Sequence, residues 1–376
     1  MKMKNYKEAL KHFESAISIN SKNSKYFYNK GKCLYELKRK NDAMYSFDKA
    51  IQIGSQNLIE SYFYKGLSLY DLQIIKESKN SFLSCLKYIF KEIMKNEICD
   101  SEIDDEFTNK NEMKKIKSNN KYLKLVEESF YFIGLIDFKE KKYQDCLNHL
   151  SICLQYNNKN DLAYYNRGLC YSQLKKDQDA KEDYEKAIEK NPNNDQAHFK
   201  IAFIFYTMKQ KEEAIKHFNE AFKINSKNYY AAHNMGKCYQ DLKKYDDALD
   251  WYNKSLKVEK HYYPSLYSKG KLLYDLKKYD EAIEVFKKSL PLNRNDSKAY
   301  YCIGQCYFEM KNYEEAQKFL DECIKMDKDN YKARYLKAKI LEKEKKNKEA
   351  IKLLKEALAI NDNYYEAQNL LDKLDN

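Results

Sequence analysis

The sequence predicts an all-α fold, a solenoid of stacked antiparallel helix pairs, and three observations support that prediction. First, small and aromatic residues recur every 34 positions over most of the 376 residues. Second, only 3 prolines interrupt the chain, which suits long helices joined by short turns. Third, seven of the 8 glycines occupy one position of the period: Gly31, Gly66, Gly134, Gly168, Gly236, Gly270 and Gly304. A fixed period of this length is typical of repeats that bury their apolar faces against one another.

The stretch from Asp161 to Asn194 shows the repeat most fully. Two helical faces are marked by small and aromatic residues, Tyr164, Gly168 and Tyr171 on the first and Ala180, Tyr184 and Ala187 on the second. A polar break at 175–179 separates them, and Pro192 cannot continue a helix. The stretch therefore predicts two helices, and the small residues allow those helices to approach closely.

This pattern resembles the tetratricopeptide repeat, and the resemblance covers nearly the whole chain. It implies a right-handed superhelical solenoid of antiparallel helix pairs with about nine full 34-residue repeats. It also implies that the first helices of the repeats line a concave surface on which other proteins bind.

The repeat register divides the chain into five predicted segments. They are an N-terminal half-repeat with a second helix only (1–23), two repeats (24–92), a charged and partly disordered insertion (93–126), seven contiguous repeats (127–364) and a short C-terminal capping helix (365–376). A decayed repeat is the alternative for the insertion. The half-repeat predicts that the chain starts inside a longer array, with a natural cap as the alternative. Pro291 is expected to fray or bend the helix that contains it.

Composition limits the compartment and the chemistry. No apolar run approaches the roughly 18 residues of a membrane span, and the charged start contains no signal core. We therefore expect a cytoplasmic protein without membrane insertion, with ciliary or nuclear location left open. Most of the 10 cysteines replace alanine or another small residue at buried repeat positions, Cys146 and Cys170 among them, which predicts reduced structural thiols.

The sequence contains no catalytic constellation, so no enzymatic activity, metal site or cofactor is predicted. Glycine-rich phosphate loops and Cys-x2-Cys pairs do not occur. The carboxylates are spaced regularly, as on solvated helix faces. His12, His149 and His217 share one position of the second helices, for which the surface is the default expectation.

The candidate binding residues lie on the first helices. One position after the first landmark, every repeat carries an aromatic ring that we expect to be half exposed on the concave face: Tyr28, Phe63, Tyr131, Tyr165, Phe199, His233, Tyr267, Tyr301 and Tyr335. Asn166 and Asn234 follow two of these rings directly, and Lys237 and Lys271 come one turn later. The alternative is that the rings only pack neighbouring repeats.

These residue types predict how a partner would bind. Rings offer apolar contact, amides can bond a peptide backbone, and lysines favour acidic partners. The predicted peptide-binding residues are Tyr131, Tyr165, Asn166, Phe199, His233, Asn234, Lys237, Tyr267, Lys271, Tyr301 and Tyr335. The predicted function is a non-enzymatic scaffold for extended or acidic segments of other proteins. The alternative is the substrate-binding arm of a larger enzyme or multi-subunit machine. Nucleic acid is disfavoured, because 57 acidic residues dilute a net charge of +12.

Overall fold

The computed structural model describes residues 2–54, 57–95, 103–292 and 296–375, and every regular element in those ranges is helical. The chain divides into two compact units, Met1–Ala197 and His198–Asn376. Helices pair along the chain within each unit, which confirms the predicted all-α fold of stacked helix pairs. Among the described helices, none has both the length and the apolar character needed to cross a membrane.

The first unit contains four helix pairs in its described residues, together with three further helices. Its helices are α1 (Lys2–Ile19), α2 (Ser24–Glu36), α3 (Lys40–Ile53), α4 (Leu58–Asp71), α5 (Ile75–Met94), α6 (Ile103–Thr108), α7 (Lys110–Ser118), α8 (Asn120–Lys139), α9 (Tyr143–Tyr156), α10 (Asp161–Gln173) and α11 (Asp177–Lys190). The pairs are α2 with α3, α4 with α5, α8 with α9, and α10 with α11.

The second unit continues the pairing from the helix that contains the boundary. Its helices are α12 (Asp195–Thr207), α13 (Lys211–Ile224), α14 (Tyr229–Asp241), α15 (Tyr245–Val258), α16 (Tyr263–Asp275), α17 (Tyr279–Ser289), α18 (Ser297–Glu309), α19 (Tyr313–Met326), α20 (Tyr331–Lys343), α21 (Asn347–Ile360) and α22 (Tyr365–Asp375). Pro291 lies in a 3-10 turn, Leu290–Leu292, directly after α17. The α-helix therefore ends early at this proline, as predicted.

A glycine on the first helix and a bulky side chain on the second are in contact in seven of the described pairs. The side chain of Tyr184 on α11 covers Gly168 on α10 so closely that a Cβ there would lie 2.6 Å from its Cε1 atom. Phe47 covers Gly31 in the same way, also at 2.6 Å. Glycine destabilises a helix interior by about 1 kcal/mol relative to alanine. Its recurrence is therefore explained by the close approach of the two helices.

The turn inside each pair has a left-handed residue that is not glycine. Lys175 has φ 58° and Lys243 has φ 59°. The same conformation recurs in the other pairs, at Lys38, Gln73, Lys141, Lys209, Lys277, Lys311 and Lys345. A left-handed backbone is unfavourable by roughly 1–2 kcal/mol for residues with a Cβ, so each turn has a local conformational cost.

Asparagines cap the first helices and also link one pair to the next. The Asn160 Oδ1 atom accepts a hydrogen bond from the Ala163 amide at 2.9 Å, which satisfies a free donor at the start of α10. The side-chain amides of Asn157 and Asn160 donate to Glu127 Oε1 on α8 at 2.8 and 2.9 Å. A carboxylate on the first helix of one pair thus binds the turn that precedes the first helix of the next pair.

The charged insertion is helical where it is described. The predicted disorder is wrong over 103–118, which forms α6 and α7, while 96–102 lies outside the described residues. Ile103, Phe107 and Ile116 are fully or almost fully buried. The Phe107 ring lies 5.4 Å from that of Phe130 on α8. These apolar side chains fix both short helices on the first unit, although charged residues outnumber them.

A buried ionic network lies beneath the insertion. His149 on α9 binds Asp137 Oδ2 through Nδ1 at 2.6 Å and Asp104 Oδ1 through Nε2 at 3.2 Å. Lys79 also binds Asp137. Burial alone would lower the pKa of His149, but the two carboxylates outweigh it and raise that pKa to about 9. The surface position expected for His149 is wrong, since this histidine is only 8% exposed.

The sulfur atoms of Cys146 on α9 and Cys170 on α10 are in direct contact, with the two Cα atoms 6.9 Å apart, so oxidation would join them as a disulfide. The predicted reduced state stays a prediction for this pair. Both cysteines occupy buried small-residue positions, and these positions face each other across neighbouring pairs. Ala214 and Cys238 hold the equivalent positions two repeats later, where one partner lacks a sulfur atom.

Candidate partner-binding surface

Much of the aromatic row on the first helices packs within its own repeat. Six of the nine rings contact a ring 19 residues later on the second helix, with centroids 5.5 to 6.3 Å apart: Tyr28 with Phe47, Phe63 with Phe82, Tyr165 with Tyr184, Phe199 with Phe218, His233 with Tyr252, and Tyr267 with Phe286. The partner is usually the ring that covers the glycine. These rings thus stabilise the helix pair before any partner binds.

Six of the nine rings that we expected to be half exposed are partly exposed, namely Tyr131, Tyr165, Phe199, Tyr267, Tyr301 and Tyr335. The expectation is wrong for Tyr28, Phe63 and His233, which are buried. In these repeats, neighbouring aromatic residues cover the ring. One example is Tyr64, whose ring lies 6.1 Å from Tyr28 and 5.5 Å from Phe63.

His233 belongs to the core of its repeat. Its Nδ1 atom lies 3.0 Å from Ser265 Oγ, and the ring of Tyr262 stands edge-on at 5.4 Å. Burial, and then the charge of Lys237, lower the pKa of His233 to about 4. The imidazole is therefore neutral at physiological pH and contributes to packing at a position predicted to bind a peptide.

In the first unit, the structure brings together Tyr131 and Asn166. The Asn166 side-chain amide donates to the Tyr131 hydroxyl at 3.2 Å and to the Leu162 carbonyl at 2.7 Å. Burial raises the pKa of Tyr131 to about 12, so this phenol stays neutral. Leu162 is 50% exposed beside them. Tyr165, the next predicted ring, packs inward on Tyr184.

In the second unit, three predicted residues line one cavity. Lys237 on α14 and Tyr267 and Lys271 on α16 border a space of about 290 Å³ between these two first helices. The remaining lining residues are Gln240, Asp241, Tyr252, Ser268 and Asp275. The cavity therefore combines two ammonium groups, two carboxylates, an amide, a serine hydroxyl and two tyrosines.

Contacts around the cavity satisfy some of its polar groups. The Tyr252 hydroxyl donates to Gln240 Oε1 at 2.7 Å. Asp241 Oδ2 accepts from the Tyr206 hydroxyl at 3.1 Å, and Lys211 Nζ lies 3.8 Å from the same oxygen. Asp241 is thus paired by groups outside the cavity. Lys271 is exposed at the rim.

Sequence reasoning missed the acidic and amide groups of this cavity. A repeated spacing could have revealed them, because Asp241 follows Lys237 by four residues and Asp275 follows Lys271 by four. Residues at i and i+4 share one helix face. The lysines and carboxylates therefore had to lie on the same side of α14 and of α16.

The other predicted residues lie outside the cavity. The Asn234 side-chain amide donates to the Tyr230 carbonyl at 2.8 Å on its own helix. Phe199 packs on Phe218, and Tyr335 lies 5.1 Å from Tyr364 at the last helix. Tyr301 is half-buried against the core of its repeat. They form separate patches along the first helices, without a common centre.

Family profiles match several stretches of the chain. The profile described as anaphase-promoting complex, cyclosome, subunit 3 matches residues 184–255 and 288–357. Three tetratricopeptide repeat profiles match residues 1–57, 162–194 and 229–295. No curated protein matches the chain significantly.

Solved structures of repeat proteins are similar to the chain. The C-terminal part of a tetratricopeptide repeat-containing protein from Cytophaga hutchinsonii is 17% identical, with 64% of this chain and 98% of that chain covered and a TM-score of 0.57. YrrB, described as having an unusual peptide-binding site, is 21% identical over 50% of this chain and 96% of its own, with a TM-score of 0.45. An anaphase-promoting complex hetero-tetramer matches at 14% identity over 98% of this chain and 86% of that chain, with a TM-score of 0.44.

At these identities the likeness extends to the fold alone, and of the three structures the Cytophaga protein has a TM-score above 0.5. The profile matches are independent of it and fall on separate helix pairs of both units. Together with the 34-residue period and its glycine contacts, they identify the chain as a tetratricopeptide repeat protein.

Proposed function

We propose that this chain is a non-enzymatic scaffold that binds extended segments of partner proteins along its first helices. The observation that carries the proposal is the cavity between α14 and α16. Three residues chosen from the sequence for their chemistry, Lys237, Tyr267 and Lys271, line that one space. Donors and acceptors are both present there, as an extended peptide backbone requires.

The charges of the cavity favour a partner segment with acidic side chains. Asp241 is already paired with Lys211 and with the Tyr206 hydroxyl. The ammonium groups of Lys237 and Lys271 then face a single further carboxylate, that of Asp275. An isolated peptide would bind with micromolar-class affinity, roughly −8 kcal/mol.

Charge variants test this proposal better than ring-to-alanine variants, because Tyr165, Phe199 and Tyr267 pack on the second helices. The double variant K237E/K271E changes two lysines of the cavity lining. The wild-type chain and this variant would each capture partners from the source cell, with mass spectrometry as the readout. We expect the variant to lose a defined set of partners while circular dichroism stays unchanged.

A matched control is the double variant K288E/K325E, which makes the same charge change on the second helices α17 and α19. Lys288 and Lys325 are exposed and pair with Glu284 and Glu322. The control should retain the partners. The same partners on K237E/K271E as on wild type would overturn the proposal.

The anaphase-promoting complex profile favours a second candidate, a subunit of a multi-protein machine. It matches residues 184–255 and 288–357, about two repeats in each stretch. In this role, the first helices would contact other subunits permanently. Size-exclusion chromatography of cell extract separates the candidates, since a subunit would elute as a large complex at all salt concentrations. A chain of 45.1 kDa that elutes alone at moderate salt would contradict this role.

A further inference from the structure

A second cavity lies where α13 and α15 end, away from the cavity between α14 and α16. It measures about 700 Å³ and is lined by Phe222, Ser226, Lys227, Tyr229, Lys254, Lys257, Val258 and Glu259. These residues come from the last turns of two second helices and from the turn that leads into α14. The cavity lies wholly within the second unit.

The floor of this cavity is apolar and partly open to solvent. Val258 is 39% exposed. Phe222 packs edge-on against Trp251, with ring centroids 5.4 Å apart. Trp251 is the only tryptophan of the chain. An apolar side chain of a partner could therefore bury this floor and would change the surroundings of a single fluorescent residue.

The rim of the cavity is basic. Lys227, Lys254 and Lys257 surround it, against one carboxylate, Glu259. The Glu259 Oε1 atom accepts the backbone amide of His261 at 3.1 Å, so this carboxylate is directed towards its own turn. The Lys254 Nζ atom forms an ion pair with Asp250 Oδ2 at 2.8 Å. It also lies over the Trp251 ring, 3.8 Å from the ring centroid.

The combination of three lysines is specific to this repeat, although single lysines recur at equivalent positions, as Lys223, Lys288 and Lys325. At the position of Lys254, the repeats one step earlier and two steps later have Glu220 and Glu322. At the position of Lys257, the repeat two steps earlier has Glu189. The framework of the repeat tolerates either charge there, so packing does not account for three lysines around one apolar floor.

We propose that this cavity is a second docking site, which binds an acidic segment of a partner protein that carries one aromatic or large aliphatic side chain. The apolar side chain fills the floor formed by Phe222, Tyr229 and Val258. Carboxylates on either side of it pair with Lys227, Lys254 and Lys257. Charge complementarity selects this occupant over a basic or uncharged segment. The chain would then contact partners on two separate surfaces.

Tryptophan fluorescence of the full chain tests the proposal directly. The probe is the peptide acetyl-Asp-Glu-Phe-Asp-Glu-amide, compared with a version in which alanine replaces phenylalanine and a version in which lysines replace the acids. The first peptide should give a saturable change in Trp251 emission. The other two should bind about tenfold more weakly or worse, because each lacks one of the two contacts.

Variants at equivalent positions of other repeats distinguish binding at this cavity from non-specific attraction between charges. K254E/K257E should weaken the acidic peptide about tenfold or more. K288E/K325E makes the same change at positions 34 and 68 residues further on, and should leave the affinity unchanged. K257E alone serves as a milder variant should the double variant lose helicity, and it should weaken binding in the same direction.

Three results would overturn the proposal. The first is no saturable signal with the acidic peptide up to roughly 1 mM, the weak end of specific binding. The second is an equal loss of affinity in K254E/K257E and K288E/K325E. The third is a single-stranded oligonucleotide that saturates the same signal at lower concentration than the peptide, which would assign the basic rim to nucleic acid.

Discussion

Tyr184 packs its ring on the backbone of Gly168, leaving 2.6 Å between its Cε1 atom and the place a Cβ would occupy. The Ala180 carbonyl oxygen lies 3.2 Å from the same place, so backbone as well as side chain limits the space. This contact sets the distance between α10 and α11, and its equivalent recurs in the other glycine-containing repeats.

Gly168→Ala should therefore destabilise the chain, although alanine is the better helix former. Overpacking costs about 1–3 kcal/mol, and the gain in helix propensity offsets about 1 kcal/mol of it. We expect a net loss of about 1 kcal/mol in chemical denaturation. Gly304→Ala is the matched control, because the flexible Leu320 side chain covers Gly304 and can move aside. A greater loss in the control would contradict this explanation.

Phe107→Ala should release the insertion. The ring is fully buried among Phe90, Phe130 and Tyr156, and truncation of such a ring typically costs 3–5 kcal/mol. Hydrogen–deuterium exchange should rise over 103–118 and stay unchanged in α10 and α11. Asp105→Ala, at an exposed position of the same helix, is the control and should not alter exchange.

The ionic network predicts a loss of stability at alkaline pH. The pKa of His149 rises from 6.5 in the unfolded chain to about 9 in the folded one. The stabilisation is therefore complete below about pH 6.5 and disappears as the pH rises through about 9. The melting temperature of the wild type should fall across this window. His149→Gln should flatten that dependence, and an unchanged slope in the variant would count against the network.

A disulfide between Cys146 and Cys170 would close a loop with a sequence separation of 24 residues. A loop of this size stabilises a fold by about 3 kcal/mol. Non-reducing peptide mapping should recover the two cysteines in one cross-linked fragment, and reduction should lower the melting temperature. Cys153, buried on the same helix as a free thiol, is the internal control. Complete alkylation of all three in denatured, unreduced protein would refute the bond.

Lys243→Gly should stabilise the second unit by roughly 0.5–1 kcal/mol. Lysine is strained at φ 59°, whereas glycine adopts this conformation freely but loses more entropy on folding. Lys244→Gly is the adjacent control, because Lys244 has φ −88° and should gain nothing. Urea denaturation of the two variants measures the difference, and equal stabilities would contradict the strain.

The sequence predicted the helix pairs because Gly168 and Tyr184 are spaced by the geometry of one repeat, and that spacing returns along the chain. The insertion escaped prediction because Ile103, Phe107 and Ile116 follow no period and stand among charges. Likewise, the contact between Cys146 and Cys170 joins two positions that each look like an ordinary buried site. Of the candidate site, Lys237, Tyr267 and Lys271 line one cavity, and their role in binding stays a prediction. His233 is buried against Tyr262, which no spacing rule relates to it.

Unfolding of a repeat array proceeds as a front that moves from one repeat to its neighbour. A disulfide between Cys146 and Cys170 would tie the second helix of one repeat to the first helix of the next. With that bond formed, the two repeats cannot separate from each other, so we expect a front that arrives from either end to meet a higher barrier there. Under a stretching force, the oxidised chain should therefore unfold one repeat at a time and pause at the two repeats that this disulfide joins.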